Sequence, residues 1–343
     1  MPSRYDATRE DLAALLAGEP PFRVRQVWDG LHRRVVAPGA MTDLPAALRA
    51  RLDAALPPAL TPANESVSDD GETVKWLWRL HDGALIETVL MHYDDRTTVC
   101  VSSQAGCAMG CGFCATGQAG FDRQLTPGEI IEQVAHAIER ARPRDRRVSN
   151  IVLMGMGEPM ANYDNVWSAV HRLHDDMGIS ARHLTISTVG IIPGIRRLAA
   201  DDLPVNLAVS LHAANDRLRD ELVPINRRYP LADLTAACAE YTAATRRRLS
   251  FEWALIAGVN DRGTDAHELA ARARPLGAHV NLIPLNPTPG YATPGTPPEG
   301  VRHFRDALRA LGVNVTVRQN RGTEIDAACG QLRASAVSVR SKA

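Results

Sequence analysis

The sequence has no surplus of either charge and no long apolar run. Its 39 Lys and Arg residues balance 39 Asp and Glu residues, so no global basic field marks a nucleic-acid or membrane-surface protein. Any RNA-binding surface must therefore be a local patch. No apolar run reaches the about 20 residues that a membrane span requires, and the first residues lack the apolar core of a secretory signal. We therefore expect a soluble protein that has no membrane partner.

Cysteine and lysine are both scarce. Six cysteines in 343 residues are too few for a disulfide scaffold, which predicts the reducing environment of the cytoplasm. Lysine occurs only at Lys75 and Lys342, so almost every cation is an arginine, which suits bidentate phosphate contacts wherever it meets a polyanion. The 45% hydrophobic content is enough to bury a large core.

The order of helical and strand-like patterns divides the chain into four parts. Residues 1–70 carry apolar residues at helical spacing and predict a small N-terminal helical accessory domain, whose arginines form either a solvated face or an RNA contact. Residues 71–96 hold two strand-like runs joined by His81-Asp82-Gly83, which predicts a β-hairpin extension. Residues 97–320 form the predicted core, and residues 321–343 form a C-terminal tail.

The core region predicts an α/β fold, because short apolar strands alternate with helical stretches. About six such alternations favour a parallel sheet curled into a full or partial (β/α)6 barrel. In such folds the functional site gathers at the carboxyl ends of the strands. The predicted strands are Thr98–Ser103, Asn150–Met156, His183–Ser187, Val205–Ser210, Ser250–Ile256, Val280–Leu285 and Asn314–Arg318.

Three of the six cysteines fall within eight residues, as C-x3-C-x2-C at Cys107, Cys111 and Cys114. Thiolates in a glycine-rich turn can face one centre, because glycine allows positive φ. Three sulfurs are one short of the four ligands of a structural zinc or a four-iron cluster. The nearest histidines, His92 and His136, lack zinc-knuckle spacing. The residues therefore favour a cluster with three cysteine ligands and one open iron.

This cysteine spacing, with Phe113 before the last cysteine, resembles the signature of the radical S-adenosylmethionine (SAM) superfamily. The resemblance implies a [4Fe-4S] cluster held by Cys107, Cys111 and Cys114, whose open iron binds SAM. It also implies that an electron passed through the cluster cleaves SAM to a 5′-deoxyadenosyl radical. Residues 154–159, Met-Gly-Met-Gly-Glu-Pro, resemble the superfamily motif that holds the amino group of SAM.

Further motifs, taken in order, are similar to the RlmN family, dual-specificity methyltransferases that methylate C2 of an adenine in 23S rRNA and in tRNA. The similarity extends from about residue 20 to about residue 333. It implies a partial (β/α)6 radical SAM barrel and a flavodoxin-type electron donor. We also expect the protein to be a monomer. The motifs are LTIST at 184–188, SLHA at 210–213, LVPIN at 222–226, LIPLNP at 282–287 and RGTEIDAACGQL at 321–332.

The same resemblance assigns roles to individual residues. Cys329 would carry the methyl group, Cys100 would form a disulfide with it at the end of the cycle, and Glu87 would accept a proton. From its pattern alone, Glu87 in an apolar strand faces solvent, and Cys238 belongs to the core. The residues that would line the SAM site are Gly157, Glu158, Ser187, Ser210, Leu211, His212 and Asn286.

A methyl-carrying cysteine agrees with the chemistry of the target carbon. C2 of adenine is electrophilic and cannot attack the SAM sulfonium, whereas a thiolate is a good nucleophile. Cys329 would take a methyl group from one SAM, and a second SAM would supply the radical, so that a covalent intermediate divides one difficult transfer into easier steps.

Two alternatives remain open at the level of sequence. The related adenine-C8 rRNA methyltransferase of antibiotic resistance would share the cluster and both cysteines, although Pro159 and the helical N-terminus favour the C2 enzyme. A non-catalytic iron–sulfur protein that binds RNA or senses redox state would use the cluster, but it would need neither the SAM motifs nor Cys329.

Overall fold

The computed structural model describes residues 3–319 and 321–332. Its α-helices are α1 (Arg9–Leu15), α2 (Phe22–His32), α3 (Ala46–Ala55), α4 (Ala115–Ala119), α5 (Pro127–Ala141), α6 (Tyr163–His171), α7 (Ile192–Ala200), α8 (Asp216–Leu222), α9 (Leu231–Thr245), α10 (Gly263–Ala273) and α11 (Pro298–Ala310). Its strands are β1 (Thr61–Val67), β2 (Thr73–Arg79), β3 (Leu85–His92), β4 (Thr97–Cys100), β5 (Gln104–Gly106), β6 (Phe121–Gln124), β7 (Val148–Leu153), β8 (Leu184–Thr188), β9 (Asn206–Ser210), β10 (Ser250–Leu255), β11 (His279–Pro284) and β12 (Val315–Val317).

One ten-stranded sheet runs through the whole fold, in the order β1-β2-β3-β4-β7-β8-β9-β10-β11-β12. In this sheet β1 to β4 pair antiparallel, and the pairings from β4 through β7 to β12 are parallel. Strands β5 and β6 form a separate antiparallel pair. Because β1 and β12 are the two edges within the described residues, the parallel part is an open, partial barrel. The predicted α/β class with a parallel sheet is confirmed.

Helix α5 shows how the sequence produces the helical layer. Thr126 caps the helix, since its side chain accepts the Glu129 N–H at 3.2 Å while the Glu129 carboxylate accepts the Thr126 N–H at 2.9 Å. Pro127 occupies the first helical position, where its missing N–H costs nothing. Ile130, Ile131 and Val134 are then fully buried against the sheet.

The N-terminal helices pack on the barrel through the same hydrophobic core. Trp28 donates its indole N–H to Asp176 at 2.7 Å, and the Glu132 side chain of α5 accepts the Ala59 N–H at 2.8 Å.

Strand β1 is not predicted from the sequence. Almost all of its side chains are exposed, so no alternation of apolar and polar residues marks it. The division into four parts stays a prediction.

Each helix in the part of the chain that the structure describes is too short or too polar to cross a membrane.

Candidate active site

A cavity of about 160 Å³ lies at the carboxyl ends of the parallel strands and is called here the cysteine cavity. It gathers the three cysteines of the motif and residues from several strand ends, as the strand order leads us to expect. Its lining includes Cys107, Cys111, Cys114, Gly157, Glu158, Ser187, Ser210, His212, Arg318 and Cys329.

The loop that carries the cysteine motif begins at a position, residue 106, that only glycine can occupy. Gly106 has φ of 76°, and a Cβ there would lie 2.1 Å from the carbonyl oxygen of Gly120. The Cys107 N–H donates to that same carbonyl at 2.6 Å, and the Cys114 N–H donates to the Cys111 carbonyl at 3.1 Å. The close approach of the two backbone segments therefore fixes where the cysteine loop begins.

The three thiols fit a cationic, sulfur-binding group. Burial raises the pKa of Cys107 to about 12, and the pKa of Cys111 is raised by burial and then by the nearby Cys114 and Cys107. Thiolates that disfavour one another need a positive centre, which a cluster iron provides. The side chains of all three cysteines line the same cavity, although within residues 3–319 and 321–332 no group of three or more His, Cys, Asp or Glu side chains forms a ready-made metal site.

The loop after β7 presents Glu158 to the cavity. Gly157 has φ of 101°, and a Cβ there would lie 2.5 Å from Cβ of Gln104, so no larger residue fits. The Glu158 carboxylate accepts the N–H groups of Met160 at 3.0 Å and Val189 at 2.8 Å. Burial raises the pKa of Glu158 to about 7. A cationic ligand in the cavity would favour its ionised form.

Ser187 and Ser210 end the neighbouring strands β8 and β9, and their hydroxyl oxygens lie 3.5 Å apart. His212 follows in a left-handed conformation, with φ of 58°. Its Nδ1 accepts the Ala254 N–H at 3.0 Å, and burial lowers its pKa to about 3. Burial therefore favours the neutral imidazole, and the bond accepted by Nδ1 leaves the proton on Nε2, from which it can donate a hydrogen bond.

Leu211 and Asn286 do not line the cysteine cavity in the described part of the chain. The Leu211 side chain is buried in the core, while its N–H donates to the Glu252 carbonyl at 3.0 Å. Asn286 instead donates its side-chain amide to the carbonyl of Cys329 at 3.0 Å. Asn286 thus contacts the segment that carries Cys329.

Two buried residues that the sequence does not single out hold the site together. Arg219 is fully buried and donates to the carbonyls of Leu211 at 3.1 Å and Val189 at 2.6 Å, joining the loops after β9 and β8. Asn260 is also fully buried and donates to the carbonyls of His212 and Ala254. Nothing local distinguishes Arg219 from the exposed Arg217 of the same helix, so only tertiary contacts reveal its role.

Replacing Arg219 with methionine is expected to lower the free energy of unfolding by about 2–4 kcal/mol, because buried carbonyls lose their donor. It should also weaken SAM binding, since the two loops lose their link. Thermal unfolding with and without SAM measures both effects, and Arg217→Met is the matched control because the Arg217 side chain is 77% exposed. Equal stability of the two variants would contradict the structural role of Arg219.

A second, smaller cavity of about 70 Å³, called here the thiol-pair cavity, is lined by both Cys100 and Cys329, together with Arg318. All six cysteines lie in the described residues and all are free, so the disulfide implied by the resemblance is not present in this structure. Burial, and then the proximity of Cys329, raises the pKa of Cys100 to about 12, which Arg318 opposes. Arg318 itself has its pKa raised, with Cys329 as the largest influence.

Residues 321–332, called here the Cys329 segment, are docked on the helix after the cysteine loop. The Ala115 N–H donates to the Gly330 carbonyl at 2.8 Å, and the Thr116 hydroxyl donates to the Leu332 carbonyl at 2.5 Å. Cys329 consequently lines both cavities. The remainder of the predicted tail, residues 333–343, lies outside the described residues.

Glu87 is buried, so the solvent-facing interpretation drawn from its pattern is wrong. Its side chain is 8% exposed and forms an ion pair with Lys75 at 3.1 Å. Both faces of β3 are covered, because Thr88 on the opposite face donates to Gln133 of α5 at 2.8 Å. Glu87 does not line the cysteine or thiol-pair cavity in the described residues.

Cys238 is fully buried in the core, as predicted.

Comparison with known proteins finds relatives across nearly the whole chain. Residues 101–270 match the family model of the radical SAM superfamily. A probable dual-specificity RNA methyltransferase RlmN from Salinispora tropica is 52% identical over 343 residues, covering 96% of this chain and 91% of the relative. A dual-specificity RNA methyltransferase RlmN 1 from Myxococcus xanthus is 50% identical over 337 residues, covering 96% of this chain and 94% of the relative.

A solved structure agrees with these relatives. The crystal structure of a radical SAM methyltransferase from Sphaerobacter thermophilus superposes with a TM-score of 0.94 at 51% identity. The match covers 98% of this chain and 100% of that one. The similarity therefore extends to the complete fold and is not confined to the cysteine motif.

Proposed function

This chain belongs to the RlmN family of radical SAM RNA methyltransferases, and we propose that it methylates C2 of an adenine in 23S rRNA and in tRNA. The rRNA target would be at the peptidyl transferase centre and the tRNA target next to the anticodon. The methyl group would pass through S-methylcysteine at Cys329, with two SAM molecules used per turnover. The observation that carries the proposal is that Cys329 lines both the cysteine cavity and the thiol-pair cavity.

Cys107, Cys111 and Cys114 would hold the [4Fe-4S] cluster, which with SAM would supply a 5′-deoxyadenosyl radical. Glu158, with its buried carboxylate, would pair with the SAM amino group. Ser187, Ser210 and His212 would offer hydroxyl and imidazole hydrogen bonds to the rest of the ligand, and Gly157 would let the backbone approach it. Leu211 and Asn286 would support the SAM site without lining the cavity. Leu211 would do so through its backbone hydrogen bond to Glu252, and Asn286 through its hydrogen bond to the Cys329 carbonyl.

Cys329 would act first as a nucleophile, and its sulfur would later be the electrophile that Cys100 attacks. Its thiolate would take a methyl group from SAM, because sulfur attacks a sulfonium methyl more readily than C2 of adenine can. The 5′-deoxyadenosyl radical would take a hydrogen atom from the S-methyl group, and the resulting carbon radical would add to C2 of the adenine. Arg318, a half-buried cation that lines the thiol-pair cavity with both cysteines, would favour negative charge on sulfur.

Glu87 and Cys100 would complete the cycle. Glu87 would accept the proton that leaves C2, and the unpaired electron of the adduct would return to the cluster. The Cys100 thiolate would then attack the Cys329 sulfur to form a transient disulfide, and the carbon released from sulfur would take up a proton to complete the methyl group of the RNA. The strand register supports this pairing of roles. Cys100 of β4 lies opposite Val89 of β3, and Glu87 is two residues before Val89, so both side chains project from the same face of the sheet.

The remaining expectations also belong to this proposal. The reductant would be a flavodoxin-type protein, and the enzyme would work as a monomer in the cytoplasm. RNA binding would depend on local arginine patches, because the overall charge is balanced.

Identification of the methylated carbon tests the proposed function. The anaerobically reconstituted protein is incubated with SAM, a reductant and fragments of 23S rRNA or tRNA. The digested nucleosides are separated by liquid chromatography and identified by mass spectrometry against standards of both isomers. We expect 2-methyladenosine. A product of 8-methyladenosine would instead identify the related C8 activity, and failure to form either 5′-deoxyadenosine or methylated RNA would support a non-catalytic iron–sulfur protein.

A further inference from the structure

We propose that Lys75 is a positioning residue that holds Glu87 and the Cys329 segment in a fixed relation during proton removal. This inference rests on the proposed function, in which Glu87 accepts the C2 proton and Cys329 carries the methyl group. Lys75 lies on β2, far in sequence from both motifs, and no motif of the sequence includes it.

The ammonium group of Lys75 bridges two partners at hydrogen-bond distance. Its Nζ lies 3.1 Å from Oε1 of Glu87 and 3.2 Å from the carbonyl oxygen of Asp326, three residues before Cys329. The side chains of Lys75 and Glu87 are only 12% and 8% exposed. An ion pair shielded from water in this way is held much more firmly than a surface pair.

The strand register places this bridge on the face that the Cys329 segment covers. Lys75 of β2 lies opposite Val89 of β3, and Val89 lies opposite Cys100 of β4. Residues opposite one another share a face, so Lys75 and Cys100 stand in one row across three strands. Glu87, two residues from Val89, projects from that same face.

The Cys329 segment is packed closely against this face. Gly322 has φ of 64°, and a Cβ there would lie 2.9 Å from Cγ2 of Thr73 on β2. Arg321 donates from Nη1 to the carbonyl of His92, at the end of β3, at 3.0 Å. Lys75 is therefore one of several contacts between the segment and the sheet, but it is the contact that also reaches the Glu87 carboxylate.

The choice of lysine is informative in a chain whose other cations are almost all arginine. An ammonium is a compact charge with three donors, whereas a guanidinium is a planar fork that prefers a bidentate partner. The two acceptors here, a carboxylate oxygen and a backbone carbonyl oxygen on separate segments, suit the compact ammonium group. Since one cation contacts both, Glu87 is oriented fully only when the Cys329 segment is docked.

Lys75→Met tests this coupling. We expect methylation of Cys329 by SAM and the KM for SAM to stay within about two-fold of the unaltered protein, while kcat for RNA methylation falls about 10–100-fold. RNA with deuterium at C2 of the target adenine should show a larger isotope effect in the variant, because proton removal then limits the rate. Lys75→Arg should recover part of the rate, since it restores a cation with altered shape.

Arg79→Met is the matched control, because Arg79 is an exposed cation on the same strand. Hydrogen exchange of the Cys329 segment provides a readout independent of activity, and we expect faster exchange there in Lys75→Met than in Arg79→Met. Unchanged exchange together with an unchanged isotope effect would overturn the proposal. Equal losses of Cys329 methylation and RNA methylation would also overturn it, because they indicate a general structural role.

Glu87→Gln separates this inference from the proposed function. If Glu87→Gln keeps full activity, the assignment of Glu87 as proton acceptor fails. In that case, faster exchange of the Cys329 segment in Lys75→Met would still establish the structural bridge, but its part in proton removal would be rejected with the role of Glu87.

Discussion

Replacing Cys329 with alanine is expected to reduce RNA methylation by at least about 10³-fold. The variant lacks the only nucleophile that the proposed cycle offers to the SAM methyl group, so no S-methyl intermediate can form. Peptide mass spectrometry should find a methyl group on Cys329 of the unaltered protein and no methylated cysteine in the variant. Methyl transfer from labelled SAM to RNA measures the activity directly.

Cys238→Ala is the matched control for that experiment, because Cys238 is fully buried in the core and has no part in the proposed chemistry. We expect it to keep its activity where it folds. Continued methylation of RNA by Cys329→Ala would contradict the carrier role and would require direct transfer to the base. Loss of activity in both variants to the same degree would indicate damage to the fold.

The barrel could be predicted from the sequence because its strands are short apolar runs that alternate with helical stretches, of which α5 carries a clear capping box. The predicted strand Ser250–Ile256, for example, is observed at Ser250–Leu255. Strand β1 was missed because it is an exposed edge of the sheet, where the pairing with β2 determines the conformation and side-chain burial does not. Local patterns therefore predict the buried strands well and the exposed edge poorly.

The residues of the candidate site also fall into two groups, those that local sequence patterns identify and those that only the tertiary structure brings together. The cysteine motif is local, so its residues can be found by spacing alone. The meeting of Cys100 with Cys329 joins positions more than two hundred residues apart, and residue patterns carry no signal for it without a family resemblance. The interpretation of Glu87 failed for a related reason, because the segment that covers its face of β3 comes from the far end of the chain.

Replacing Cys100 with alanine is expected to trap the RNA on the protein. The cycle would proceed until the adenine is bonded to the carbon on Cys329, but no thiol would remain to attack the Cys329 sulfur. Turnover should fall by about 100-fold or more, and a covalent protein–RNA product should migrate as one slow band on a denaturing gel. Cys100→Ser should give the same result with less change in volume, since a hydroxyl is a poor nucleophile for sulfur.

The buried position of Cys100 also gives the release step a pH dependence. Because the pKa of Cys100 is raised to about 12, its reactive thiolate is scarce at pH 7. As long as the pH stays below that pKa, the thiolate fraction grows about tenfold for each unit by which the pH rises. Release of RNA from the covalent adduct should therefore accelerate from pH 7 to pH 9 in the unaltered protein. In Cys100→Ala and Cys100→Ser the adduct should persist across this range, and rapid release of free methylated RNA by either variant would exclude Cys100 as the resolving thiol.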